Sequence, residues 1–232
     1  MIATKTYTAK EGAKLLVKSY LLVWVFYFSF FMVLGLLSKW FPELINNEYK
    51  QERLLEMLNN QPIQLIISAV IIAPIFEEIM FRALIKPSYE DLLLFISGWI
   101  SFLFMGFSEG LTDWYIRLLI MFSIFIGIYY LLQFLVPKKA LLGIQKFLGK
   151  YALVVLVITS VIFGMAHIYN YVESFLINAA LFVMIVPRIV LGGIAGWLKL
   201  KTGVLIWPIL LHFLNNALAM GVMLLFTYVI SN

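Results

Sequence analysis

No cysteine occurs in the 232-residue sequence. That excludes a disulfide framework, a thiolate nucleophile and a thiolate metal site. Charge is also scarce: Asp, Glu, Lys and Arg make up 12% of the residues, against about 25% in a soluble domain. Histidine is rarer still, with two residues, His167 and His212. The two aspartates, Asp91 and Asp113, lie at the ends of apolar runs, so a pair of intramembrane aspartates is excluded. Neither a His-Glu-x-x-His helix nor a Gly-x-Ser-x-Gly elbow occurs, which removes zinc-helix and serine-elbow hydrolase sites.

What remains is apolar. Hydrophobic residues make up 63% of the chain, in runs near the roughly 20 residues that a membrane helix needs. The runs are continuous rather than alternating, which argues against a membrane barrel. The expected fold is all-α: one integral-membrane domain over residues 1–232, a polytopic helical bundle of about seven spans. These run over Leu15–Leu37, Ile63–Ile85, Leu92–Phe107, Trp114–Val136, Tyr151–His167, Ser174–Leu200 and Val204–Ile230. The third is short. The sixth is too long for a straight crossing at 1.5 Å per residue, so Pro187 is expected to kink it or split it, giving eight. Leu141–Gly149, basic and apolar by turns, suits an interfacial segment.

The net charge of +5 signals orientation and not a nucleic-acid partner. Lys5, Lys10, Lys14 and Lys18 precede the first span, and Arg82 and Lys86 end the second. Lys138, Lys139, Lys146 and Lys150 follow the fourth, and Lys199 and Lys201 follow the sixth. All fall on one side, while Glu43, Glu48, Glu52, Glu56, Glu109, Asp113 and Glu173 fall on the other. The positive-inside rule then puts the N-terminus in the cytoplasm. The first dozen residues are polar and the first apolar run is long, so no cleavable signal peptide is expected.

Against this background, ionisable groups inside spans stand out, because charge within a bilayer is costly and usually functional. Glu77 and Glu78 lie in Phe76-Glu77-Glu78-Ile79-Met80-Phe81-Arg82. Glu78 and Arg82 are four apart, share a helix face and stand in the favourable order for an ion pair. Glu77 points about 100° away and has no local cation. Two adjacent carboxylates in low dielectric resist being charged together. His167 closes the fifth span, and His212 and Asn216 stack one turn apart on the seventh. Each element has a plainer use, as an ion pair that locks helices or as interhelical hydrogen bonds. Taken together, they suit a buried acid–base site. Gly192 and Gly196 form a small-xxx-small pair that signals close helix packing. Arg188 has no evident partner, and the aromatic run Trp24–Phe31 reads as lipid-facing or core.

Glu77-Glu78-x-x-x-Arg82, Phe163-x-x-x-His167 and His212-x-x-x-Asn216, in this order on separate spans, resemble the CPBP family of intramembrane proteases. That family, also called the Abi or CAAX-protease family, includes the eukaryotic CAAX prenyl endopeptidase. Lys201-Thr202-Gly203 and Trp207-Pro208 ahead of His212 are similar to its lead into the last motif, and the resemblance covers about residues 73–219. It implies an endopeptidase that cuts a membrane-embedded or membrane-bound protein or peptide. By that resemblance Glu77 is the catalytic glutamate and His167 helps it activate water. His212 and Asn216 stabilise the oxyanion, with Glu78 and Arg82 in support. A metal-free glutamate mechanism is favoured. If zinc takes part, Glu77, His167 and His212 are its expected ligands. The resemblance also implies a bacterial plasma membrane and a link to bacteriocin self-immunity. A proton-coupled transporter, or a non-catalytic immunity or scaffold protein, are the alternatives. Inverted repeats would favour transport, and the sequence has none.

Residue counting adds one geometric expectation. Glu77 and His212 fall at similar depth, each about nine residues or 13 Å from the cytoplasmic end of its span. His167 falls nearer the opposite surface.

Overall fold

In the computed structural model, which describes residues 7–45, 49, 52–107 and 113–231, Thr8 opens the first helix. Its hydroxyl accepts from the Glu11 N–H at 3.2 Å, and the Glu11 carboxylate accepts from the Thr8 N–H at 2.9 Å. This reciprocal box satisfies donors that a helix N-terminus leaves free. Lys5, Glu48 and Glu109, counted above for orientation, lie outside the described residues.

The chain is all-helical, with no strand among the described residues. Helix α1 spans Ala9–Leu37 and α2 spans Glu52–Asn60. Helix α3 runs over Pro62–Arg82 and contains a π turn at Ile67–Ile72. It stops at Arg82, and in the turn that follows Lys86 takes a left-handed φ of 50° ahead of Pro87. Helix α4 (Tyr89–Phe107) starts from Ser88, which exchanges hydrogen bonds with Asp91 at 2.8 and 3.0 Å. Helices α5 (Trp114–Leu135) and α6 (Lys138–Lys150) follow. Helix α7 (Ala152–Ala166) is prolonged by a 3-10 turn, His167–Asn170. Helices α8 (Ala179–Thr202) and α9 (Ile206–Ser231) complete the bundle. The expected interfacial segment is α6, a separate helix between two spans.

Six described helices are long and apolar enough to cross a membrane: α1, α3, α5, α7 with its 3-10 turn, α8 and α9. Helix α4 carries the short third span and is not one of the six. The chain is a multi-pass membrane protein. Its outer helices leave large apolar groups uncovered, such as Phe28 at 74% and Phe134 at 87% exposed, as a lipid-facing surface requires. The core is aromatic and aliphatic: Phe76, Met80, Phe81, Met121 and Phe163 form one cluster, and Val23, Leu191, Ala195, Leu198 and Leu211 another.

The sixth span does not split. Asn178 caps α8 by accepting from the Leu181 N–H at 2.9 Å, so residues 174–178 stay outside the helix. Pro187 is then accommodated inside one helix of 24 residues. Glycines set the packing beside it. A Cβ on Gly164 of α7 would collide with Ile189 of α8. A Cβ on Gly196 would lie 3.0 Å from both Ile85 and Leu156.

Lys199 anchors the C-terminal end of α8. Fully buried, it lies 2.7 Å from the Asp91 carboxylate and donates to the Gly203 carbonyl at 2.8 Å. Asp91→Asn keeps an acceptor for the cap but removes the countercharge. It should cost about 3–5 kcal/mol, the usual penalty for stranding one member of a buried pair. Glu90→Gln weakens only exposed contacts, to Lys138, whose side chain is 75% exposed, and to the Ser88 side chain, and should cost less than about 1 kcal/mol. Thermal unfolding in detergent measures both; equal losses would contradict this assignment.

Candidate active site

Glu77 and Glu78 are neighbours in sequence but face different surroundings. The helical step of about 100° turns Glu78 into the bundle, where 1% of its side chain is exposed, against 28% for Glu77. Glu78 Oε2 lies 3.2 Å from Arg82 Nε. Its Oε1 lies 2.9 Å from Nδ1 of His212 on α9. One buried carboxylate therefore holds both a cation on its own helix and an imidazole from another. Arg82 is fully buried and lies over the Phe163 ring, with Cζ 4.4 Å from the centroid. Gly192 makes room for it: a Cβ there would come 3.0 Å from Arg82 Nη2.

The Phe163 ring also contacts both histidines, with centroids 4.6 Å from His167 and 5.6 Å from His212. His167 Nδ1 lies 2.7 Å from the Phe163 carbonyl oxygen. A carbonyl only accepts, so Nδ1 carries a proton, and in the neutral ring Nε2 keeps its lone pair. The Glu78 carboxylate fixes a proton on His212 Nδ1 by the same logic. Both Nε2 atoms face Glu77 Oε2, at 4.0 Å from His167 and 3.8 Å from His212.

The structure thus brings together Glu77, His167 and His212, with Glu78 and Arg82 directly behind. Asn216 is not in contact with that trio. Its amide donates to the Ala69 carbonyl at 2.8 Å, inside the π turn of α3, and accepts from Asn215 at 3.2 Å. One amide N–H is left uncommitted. The expected depth of His167 is corrected. Arg82 faces Gly192, ten residues before the end of α8 at Thr202, so α3 ends about 15 Å below that level. Glu77 is deeper than counting from Ile85 suggested, and His167 meets it there.

Sequence reasoning missed the second partner of Glu78, the π turn that Asn216 contacts, and the neighbours of Arg188. Arg188 lies over the Tyr171 ring, with Cζ 5.4 Å from the centroid, and donates to the Met184 carbonyl at 3.1 Å. The absence of an acid one turn away was the available signal for Arg188. Among the described residues, no group of three or more His, Cys, Asp and Glu side chains is disposed to hold a metal ion.

A helical membrane bundle with a buried carboxylate–imidazole cluster is the class that fold and geometry define. Residues 135–218 match the family model described as Type II CAAX prenyl endopeptidase Rce1-like, which belongs with the CPBP or CAAX-protease group that the motifs resemble. The matched stretch contains His167, His212 and Asn216; Glu77, Glu78 and Arg82 precede it. No curated protein and no solved structure matches the chain.

The two glutamates should separate in stability measurements. Glu78→Gln strands buried Arg82 and should cost about 3–5 kcal/mol. Glu77→Gln, at a partly exposed position, should change unfolding by less than about 1 kcal/mol. A larger loss at Glu77 would reverse the supporting role assigned to Glu78.

Proposed function

We propose that this protein is an intramembrane endopeptidase that hydrolyses a peptide bond in a membrane-associated protein or peptide. The observation that carries the reading is the approach of Glu77 Oε2 to Nε2 of both His167 and His212, within 4.0 Å. The family match over residues 135–218 supports it. With the positive flanks inside, the proposed setting is the bacterial plasma membrane, and a link to bacteriocin self-immunity is part of the proposal.

In the proposed reaction, a water between Glu77 and His167 donates one hydrogen bond to each. Glu77 takes its proton as the oxygen attacks the scissile carbonyl, a general-base step. The imidazolium form of His212, held by Glu78 through Nδ1, is the one that offers an Nε2–H to the developing oxyanion. The free N–H of Asn216 is the proposed second donor. Fixed donors of this kind act most strongly where charge appears in the transition state. Collapse of the tetrahedral adduct breaks the C–N bond, and Glu77 returns its proton to the leaving amine. Glu78 and Arg82 touch no reacting atom and act as positioning residues.

Membrane-peptide proteomics on cells carrying wild type or Glu77→Gln tests this. Products should vanish in the variant while the folded protein persists, because an amide keeps the shape but takes no proton. With the purified enzyme, Asn216→Ala should slow turnover by about 10²–10³-fold. Activity should survive exhaustive chelation. Loss on chelation with restoration by zinc would contradict the metal-free mechanism. Unaltered products with Glu77→Gln would end the protease reading.

A further inference from the structure

Among the described residues two cations are fully buried, and each has a carboxylate of its own: Arg82 pairs with Glu78, and Lys199 with Asp91. Arg188 has none, for no described carboxylate forms an ion pair with it. It follows Pro187 on α8, nine residues from the start of the helix at Ala179, which is about 14 Å along the span. A cation at that depth is costly and marks function by default. Its Nη1 donates to the Met184 carbonyl at 3.1 Å, and the guanidinium rests over Tyr171. A guanidinium has five N–H donors, so most of its fork is unfilled by protein.

The position is also specific. Ile189, the next residue, packs against Gly164, just before His167 in sequence. Tyr171, beneath the guanidinium, follows His167 by one turn. Arg188 therefore flanks the Glu77–His167 edge of the cluster. Glu77 is itself faced by two imidazoles and makes no ion pair with Arg188.

We propose that Arg188 is a specificity residue that receives a carboxylate of the substrate close to the bond that is cut. The assignment rests on the protease reading above and names a substrate class for it. The planar fork of arginine matches a carboxylate through two parallel hydrogen bonds. That carboxylate belongs either to the C-terminus of the substrate or to an acidic side chain near the cut.

Three N-acylated peptide libraries separate these cases, assayed by mass spectrometry with protein in lipid nanodiscs. One has free C-terminal carboxylates. The second is the same library amidated, without acidic residues. The third is amidated, with Asp or Glu in the last positions. Wild type should favour the first or the third over the second, and which of them it favours identifies the source. Arg188→Gln should reduce that preference by about 10- to 100-fold, the scale of a hydrogen bond to a charged group, mainly through KM. Arg188→Lys, which keeps the charge and loses the fork, should restore part of it. Equal loss on all three libraries would mean that Arg188 only offsets the charge of Glu77, and would overturn the proposal. So would an unchanged preference, or a wild type that cuts all three alike. If wild type cuts none of them, the protease reading falls and this assignment falls with it.

Discussion

The Glu78 carboxylate, shared between Arg82 and His212, is the interaction on which the rest of the site depends. A buried charge must be compensated, and here each oxygen has a different partner, Arg82 at 3.2 Å and His212 at 2.9 Å. The first contact is local to α3. The second ties α3 to α9 across 134 residues of sequence. Because Arg82 and His212 both turn to Glu78, Glu77 is left as the acid facing the two imidazole Nε2 atoms, and His212 presents a defined nitrogen to it.

Packing makes that arrangement possible. Arg82 needs a cavity large enough for a guanidinium, and Gly192 and the face of Phe163 provide it. The same Phe163 fixes His167 through its carbonyl and contacts both imidazole rings. Gly164 lets α7 and α8 approach closely enough to bring His167 beside Arg188's helix. Small residues thus control where charged ones can sit, as is common between membrane helices.

Much of this was legible in the sequence, and for local reasons. Spans follow from apolar length, and the Glu78–Arg82 pair follows from four-residue spacing on a helix. The three motifs single out Glu77, His167 and His212, the side chains that lie within 4.0 Å of one another through Glu77 Oε2. Other features were not legible because they depend on contacts distant in sequence. The second partner of Glu78 is one. The depth of Glu77 is another: Ile85 packs against Gly196, so α3 ends well below the level of the Thr202 end of α8, and counting from Ile85 misjudged it. Pro187 suggested a kinked or divided helix, and the division does not occur: the cap at Asn178 shortens one continuous helix that contains the proline. The π turn at Ile67–Ile72 left no mark in the sequence, and the amide of Asn216 is engaged with its Ala69 carbonyl.

The central claim concerns protons: both imidazoles are held by acceptors on Nδ1, so that Nε2 faces Glu77. Nitrogen-15 NMR of histidine-labelled protein in nanodiscs tests this without a substrate. With only two histidines in the chain, one variant assigns both signals. The account predicts that each ring carries hydrogen on Nδ1. A neutral ring at either position with its hydrogen on Nε2 would contradict it.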